Sequence, residues 1–274
     1  MRKESHVNKN PITHILRTAL IVGIPLAALL QELAVLLSYD SETNYFSANA
    51  PLPVLANVLT AAMFVLAVIC ALIAEKPLAT ATPFGSQVWI AIPAAVGFGV
   101  SGIYLLIDFF NKQITLSLVA AIVLLLSAAY ALLSETKNKN ALLGFTPPIA
   151  CALLIGILYF DTSLEMNAPM KVAVQCALIP LMLYFTAELR YLLGRELPRL
   201  YCALALGSLA ASSLCILTVP VASITGRLEN AYCLISAIAV IGINATVALR
   251  QWRYLQTPDL TSPDENDTKE TEAQ

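Results

Sequence analysis

Eight stretches of 16 to 24 residues, almost free of charge, run through this chain, each separated from the next by a short polar segment. They cover residues 15–38, 52–74, 88–107, 114–133, 145–160, 172–187, 200–223 and 232–249. A helix rises 1.5 Å per residue, so about 20 apolar residues cross a hydrocarbon core about 30 Å thick. Lipid offers no partner to a free backbone N–H or C=O, so such stretches must be helical; the short alternating strands of a β-barrel are not seen. The pattern predicts an all-α polytopic transmembrane bundle of about eight spans in four hairpins. It divides the chain into an N-terminal segment (1–14), a helical domain (15–254) and a tail (255–274).

Composition excludes an ordinary soluble domain: 58% of the residues are hydrophobic and 12% charged, with a mean hydropathy of +0.74, against about 25% charged in soluble domains. The net charge of −2 misleads, because six of the eighteen acids (Asp259, Asp264, Glu265, Asp267, Glu270, Glu272) follow residue 254. That tail has no apolar periodicity and is expected to be disordered, either as a solvated end or as a recruiter of a protein partner.

With the N-terminus in the cytoplasm, thirteen bases fall on inner segments and three (Lys112, Lys171, Arg227) on outer loops. This obeys the positive-inside rule and puts both termini inside. The first span is too long for a cleaved signal and is expected to remain as an anchor. The six cysteines all lie in or beside apolar runs without a CxxC pair, and read as small buried side chains. His6 and His14 both precede the first span, which argues against haem, a histidine-bound metal or a buried histidine base.

The middle two hairpins share landmarks. Asp108 to Glu135 and Asp161 to Glu188 are the same 27-residue step, offset by 53, which suggests an internal repeat. Spans five and six offer only about 16 clean apolar residues each, about 24 Å of helix, and are interrupted by Pro147, Pro148 and Pro180. Short or broken segments point to binding sites in transporters, although proline is also simply more frequent in membrane helices.

Glu32, in "LLQELAVLLSYD", is the clearest ionisable residue inside the hydrocarbon, and such a residue is a functional-site candidate by default. Gln31, Asn57, Asp108, Asp161, Glu165, Asn167, Lys171 and Gln175 collect at its level. The expected site is an outward-opening polar cavity between spans one, two, five and six. Glu32, Asn57, Asp161, Lys171 and Gln175 are its ligand-binding candidates, with Lys171 as partner to Glu32. The competing reading makes that pair a structural bridge between two helices.

Ala203, Gly207 and Ala211, with Ser208 and Ser212 beside them, form a small-residue row suited to close helix packing. Asn244 is a candidate interhelical hydrogen-bond partner. "GVSG" (residues 99–102) resembles the serine motif of rhomboid intramembrane proteases, but no span holds a histidine to activate Ser101, so glycine-rich packing is expected. No P-loop, diphosphate-binding acidic pair or other catalytic motif is present, and neither a cofactor nor a metal site is expected.

The most charged stretch, "ELRYLLGRELPR" (residues 188–199), is expected to be an inner turn: Gly194 ends one helix, Pro198 opens the next, and its arginines meet lipid headgroups. Together with "YFDTSLEMNAPMK" (residues 159–171) it resembles a group of multi-spanning membrane proteins of Gram-positive anaerobes. The resemblance implies an eight-span protein of a bacterial plasma membrane and carries no activity. The leading expectation is a non-enzymatic permease or permease-like subunit for a small polar solute. The alternatives are a structural or sensory membrane protein acting through membrane or cytoplasmic protein partners, and, third, a lipid-modifying enzyme. The lipid bilayer is the expected surrounding; nucleic acid is not an expected partner.

Overall fold

The computed structural model describes residues 11–73, 87–136, 140–195 and 197–256. The acidic tail and most of the N-terminal segment therefore lie outside the described residues. Nine α-helices run in order among them: α1 (Pro11–Ser38), α2 (Pro51–Ile73), α3 (Ile92–Lys112), α4 (Thr115–Ser134), α5 (Thr146–Phe160), α6 (Pro169–Leu192), α7 (Pro198–Ser212), α8 (Thr218–Ile224) and α9 (Ala231–Gln256). Two-residue strands β1 (Tyr39–Asp40) and β2 (Tyr45–Phe46) pair antiparallel between α1 and α2. One end of the bundle gathers Tyr39, Asp161 and Asn230 and is called the Asp161 end. The opposite one, with Glu135 and Arg250, is called the Glu188 end.

Seven helices are long and apolar enough to cross a membrane, so this is an integral membrane protein with an all-α bundle. Its surface agrees: Ile21, Leu37, Val54, Val58, Ile103 and Phe110 are among many large apolar side chains left exposed, a surface that only lipid covers without aggregation. The stretch expected as span seven (200–223) is built in two pieces. α7 stops at Ser212, the chain turns through residues 213–217, and α8 completes the passage. In the break the amides of Ser213, Leu214 and Cys215 bond three residues back instead of four. Pro220 explains why the helix does not run through, since it offers no amide to the Ile216 carbonyl and its ring crowds that turn.

The expectation that spans five and six are the interrupted pair is only half met. α5 is short at 15 residues, with Pro147 in its first turn. α6 is a continuous 24-residue helix, with Pro180 buried inside it. Its apolar core was legible, but the helix also takes in Lys171 and Glu188, which a hydropathy count excludes.

α9 is the axis of the bundle: 61% of its apolar window is buried, against 28% for α2. It packs on α3, α5, α6, α7 and α8, in a core that includes Phe98, Leu124, Leu154, Leu178, Val240 and Ile243. The α1–α2 hairpin lies outside it against α7, with a small core of its own around Leu20, Ala67 and Cys70. α3 and α9 cross where Gly97 faces Gly242; a Cβ on Gly242 would lie 2.9 Å from the Gly97 Cα. The Ser101 hydroxyl donates to the Gly97 and Ile235 carbonyls at 2.8 Å each, and the Ala94 amide donates to Thr246 Oγ1 at 3.0 Å. Of the "GVSG" stretch, Ser101 bonds α9 and Gly102 packs closely on Ala121 and Leu124 of α4, whereas Gly99 meets nothing within 4 Å. Gly207 of the small-residue row meets Phe64 of α2. Asn244 bonds its own helix, donating to the Val240 carbonyl, rather than a neighbour. None of the six cysteines is in a disulfide.

Two glycines close helices in the same way. Gly194 (φ +72°) and Gly226 (φ +70°) adopt the left-handed conformation, with the next amide returning to Arg190 and Ala222 respectively. This is the Schellman arrangement. The first confirms Gly194 as the stop of α6. The second aims Arg227 at the last turn of α1, where it donates to the Val35 and Leu36 carbonyls.

Candidate functional site

At the Asp161 end the predicted site residues are drawn into separate structural roles. Lys171 is 1% exposed, but its ammonium donates to the Asp161 carbonyl at 2.6 Å and the Leu164 carbonyl at 3.2 Å. It staples the α5–α6 loop. The Asp161 carboxylate accepts from Asn230 Nδ2 at 2.6 Å and from the Ser163 amide and hydroxyl. Asn57 accepts from Gln31 Nε2 at 2.8 Å, in a polar row that Thr60 extends to Ser213 of the α7–α8 break. Tyr45 donates to Glu165 at 2.6 Å, docking the β1–β2 hairpin on the same loop. Gln175 is half-buried one turn beyond Lys171.

Glu32 does not pair with Lys171. Both its carboxylate oxygens are buried and, among the described residues, neither has a hydrogen-bond partner; the described cation whose charge reaches it is Arg227. The Asp40 carboxylate, in the hairpin turn outside the spans, accepts from the Glu42 amide at 2.9 Å and the Thr43 hydroxyl at 3.0 Å, which hold it below the usual carboxylate range.

The Glu188 end holds a centre that charge counting along the sequence does not expose. Arg250 of α9 donates from Nε to Glu135 Oε1 at 2.9 Å, and from Nη1 to Glu188 Oε2 at 3.0 Å. The guanidinium side chain is 7% exposed and both carboxylate side chains 1%. Nη1 also donates to the Tyr184 hydroxyl at 3.0 Å, and Nη2 to Ser134 at 3.1 Å. Tyr130 donates to Glu188 Oε1 at 2.8 Å, and the Tyr184 and Tyr201 hydroxyls share a hydrogen bond of 2.7 Å. Four helices, α4, α6, α7 and α9, thus meet in one connected polar network inside an apolar core. A narrow cavity adjoins it, with Phe98 of α3, Tyr130, Tyr184, Phe185 and Ile243 in its wall beside Glu188 and Arg250.

Local structure places each group. Glu135 caps the end of α4. Glu188 lies one turn past Tyr184 on the inward face of α6, and Pro198 starts α7 so that Tyr201 falls in its first turn. A buried arginine between two carboxylates loses the hydration of three charges, which the mutual hydrogen bonds must offset. Arginine suits such a position because its fork of donors reaches several acceptors at once.

The 53-residue landmarks acquire a meaning here. Glu135 and Glu188 grip the same arginine at one end of α9. Their counterparts Asp108 and Asp161 hold the other end: Tyr232 of α9 donates to Asp108 at 2.9 Å, and Asn230, just before α9, to Asp161. Lys112 completes that end with a 2.9 Å bridge to Asp108. The signal was therefore in the sequence as paired acids at equal spacing. Their shared partner was hidden because Arg250 is counted among the inner bases.

The search for relatives adds no guide: no family model, curated protein or solved structure matches the chain.

Proposed function

We propose that this integral membrane protein is a permease or permease-like subunit for a small polar solute, and that its working site is the Arg250–Glu135–Glu188 centre. The carrying observation is a buried, multiply charged network beside a narrow cavity, with room for about one water molecule, between α3, α4, α6 and α9. Ionisable groups within membrane helices cost free energy and are retained where they bind or relay polar species. The broken span seven supports the same reading. α7 brings Tyr201 to the network at one end, and its break at Ser213 joins the polar row to α1 and α2. Discontinuous helices are a means by which transporters line a path with polar backbone.

The asymmetry of bases supports placing both termini in the cytoplasm of a bacterium, with the Glu188 end facing it. The partial resemblance to membrane proteins of Gram-positive anaerobes supports the plasma membrane as the location. The test is uptake by proteoliposomes of a radiolabelled panel of amino acids, sugars and small amines. Saturable uptake of at least one, absent from empty vesicles, is expected; no uptake across the panel refutes the transport reading.

A further inference from the structure

We infer that Glu32 is a proton-binding site: in the folded protein it stands as a neutral carboxylic acid, and loss of its proton draws Arg227 away from the last turn of α1. The inference goes beyond the transport reading and does not rest on the Arg250 centre.

Placement and burial carry the argument. Glu32 lies on the inward side of α1, since Ala28 and Val35, one turn to either side of it, are 8% and 1% exposed. Both its carboxylate oxygens are buried, and among the described residues no donor reaches either. Ser223 Oγ of α8 is in the same position, buried and without a partner among them. α8 packs on α1, and both run toward the Asp161 end. Ser223 stands four residues before Arg227, as Glu32 stands three and four residues before the Val35 and Leu36 carbonyls that Arg227 caps. The two groups thus share one level of the α1–α8 seam. An ionised carboxylate there would give up its hydration for no hydrogen bond in return, and a group buried on those terms takes up a proton instead.

Charged and titratable neighbours are sparse. α1 packs on α2, α8 and β1. α2 presents Asn57 and Thr60, both neutral, to the adjoining Gln31; its Cys70 belongs to the Leu20 cluster, about three turns away. α8 holds no ionisable side chain. β1 contributes Tyr39, bonded to Asn44, and Asp40, an exposed carboxylate committed to the Glu42 amide and Thr43. Arg227 is the described cation whose charge reaches Glu32, and its Nη1 is bonded to the two carbonyls rather than to the carboxylate.

That choice of acceptor defines two states. With the proton in place, Arg227 caps α1. When the carboxyl O–H bond breaks and the proton leaves to the aqueous phase, a carboxylate one turn earlier on the same helix becomes available, and a guanidinium fork matches it better than it matches single carbonyls. Arg227 then turns to Glu32, and the junction of α1 with the β1–β2 hairpin loses its cap.

The test is infrared difference spectroscopy of the full-length protein in lipid vesicles, titrated from neutral to alkaline pH, following the deuterium-sensitive carbonyl stretch of carboxylic acids. The wild type is expected to show such a band at neutral pH and to lose it in base. Glu32→Gln should lack the band throughout, while Glu188→Gln should keep it. Arg227→Gln removes the opposite charge that favours the carboxylate, so its band should persist to higher pH than in the wild type. Hydrogen exchange over residues 35–46, corrected for intrinsic rates, should rise as the wild-type band is lost and stay flat in Glu32→Gln. No band at neutral pH in the wild type overturns the inference, whether Glu32 is then ionised beside Arg227 or neutralised by another cation, and that measurement needs no variant to fold. A band kept in Glu32→Gln, lost in Glu188→Gln, or lost at the same or lower pH in Arg227→Gln overturns it as well. Exchange that stays flat across the wild-type titration overturns the switch of Arg227.

Discussion

Gly242→Ala puts a methyl group where α3 and α9 cross most closely. The added Cβ would lie 2.9 Å from the Gly97 Cα and 3.1 Å from its amide nitrogen, and closer still to the Pro93 carbonyl oxygen. All three are backbone atoms, so no side chain can swing aside and the helices must separate. Overpacking of this kind costs about 1–3 kcal/mol. Separation also weakens the Ala94–Thr246 and Ser101–Ile235 hydrogen bonds, at about 0.6 kcal/mol each for contacts between membrane helices. Alanine returns up to about 1 kcal/mol of helix propensity. The net expectation is a loss of about 2 kcal/mol, which lowers the thermal midpoint by about 4–8 °C on the scaling of soluble domains. The buried thiols of Cys151, Cys215 and Cys233 supply the assay, since a thiol-reactive fluorophore reports when the core opens. Gly99→Ala is the control: its Cβ would meet nothing within 4 Å, so the midpoint should hold or rise. A midpoint for Gly242→Ala at or above that of Gly99→Ala refutes the close crossing, and with it the placement of Arg250 by α9.

Arg250→Met removes the guanidinium shared by two buried carboxylates and should cost about 3–5 kcal/mol in the same thiol assay, whereas Glu188→Gln keeps the arginine paired to Glu135 and should cost far less; equal losses contradict the network. Lys171→Met removes the ammonium that donates to the Asp161 and Leu164 carbonyls and should destabilise by about 1–3 kcal/mol. A double-mutant cycle of Lys171→Gln with Glu32→Gln should show coupling below about 0.5 kcal/mol, while a larger coupling restores the pair that the sequence suggested. For the hairpin turn, Asp40 is depressed by hydrogen bonds to its charged form, so its contribution is present above the ordinary carboxylate range and fades as pH falls through the folded value. Protection of the Glu42 amide, corrected for intrinsic exchange, should stay flat down to about pH 5 and decline below it; a decline already between pH 8 and 6 contradicts the assignment.

Helix positions were readable because hydropathy is read one residue at a time. α2, α4 and α5 begin and end within about two residues of the apolar runs, within the spread of helix assignment itself. The break in span seven was not read, because residues 213–217 are as apolar as their neighbours; Pro220 and the Ser212–Ser213 pair were the available signal. The candidate site was harder for a different reason. Glu32 was visible as a lone acid inside a span. Glu135, Glu188 and Arg250 stand near the ends of helices, where charges are ordinary, and only the packing of α4, α6 and α9 turns them into a buried centre. The stretch "ELRYLLGRELPR" held one member of that centre at its first residue, while its arginines are the solvated turn that their position implied.

Uptake of whichever panel solute the wild type transports, measured in Glu188→Gln and Glu32→Gln vesicles holding equal amounts of folded protein, tests the account most directly. Loss of saturable uptake in Glu188→Gln with near-normal uptake in Glu32→Gln is the result expected of a working site at the Arg250 centre. Normal uptake in Glu188→Gln with loss in Glu32→Gln would move the site to the Asp161 end and contradict the account.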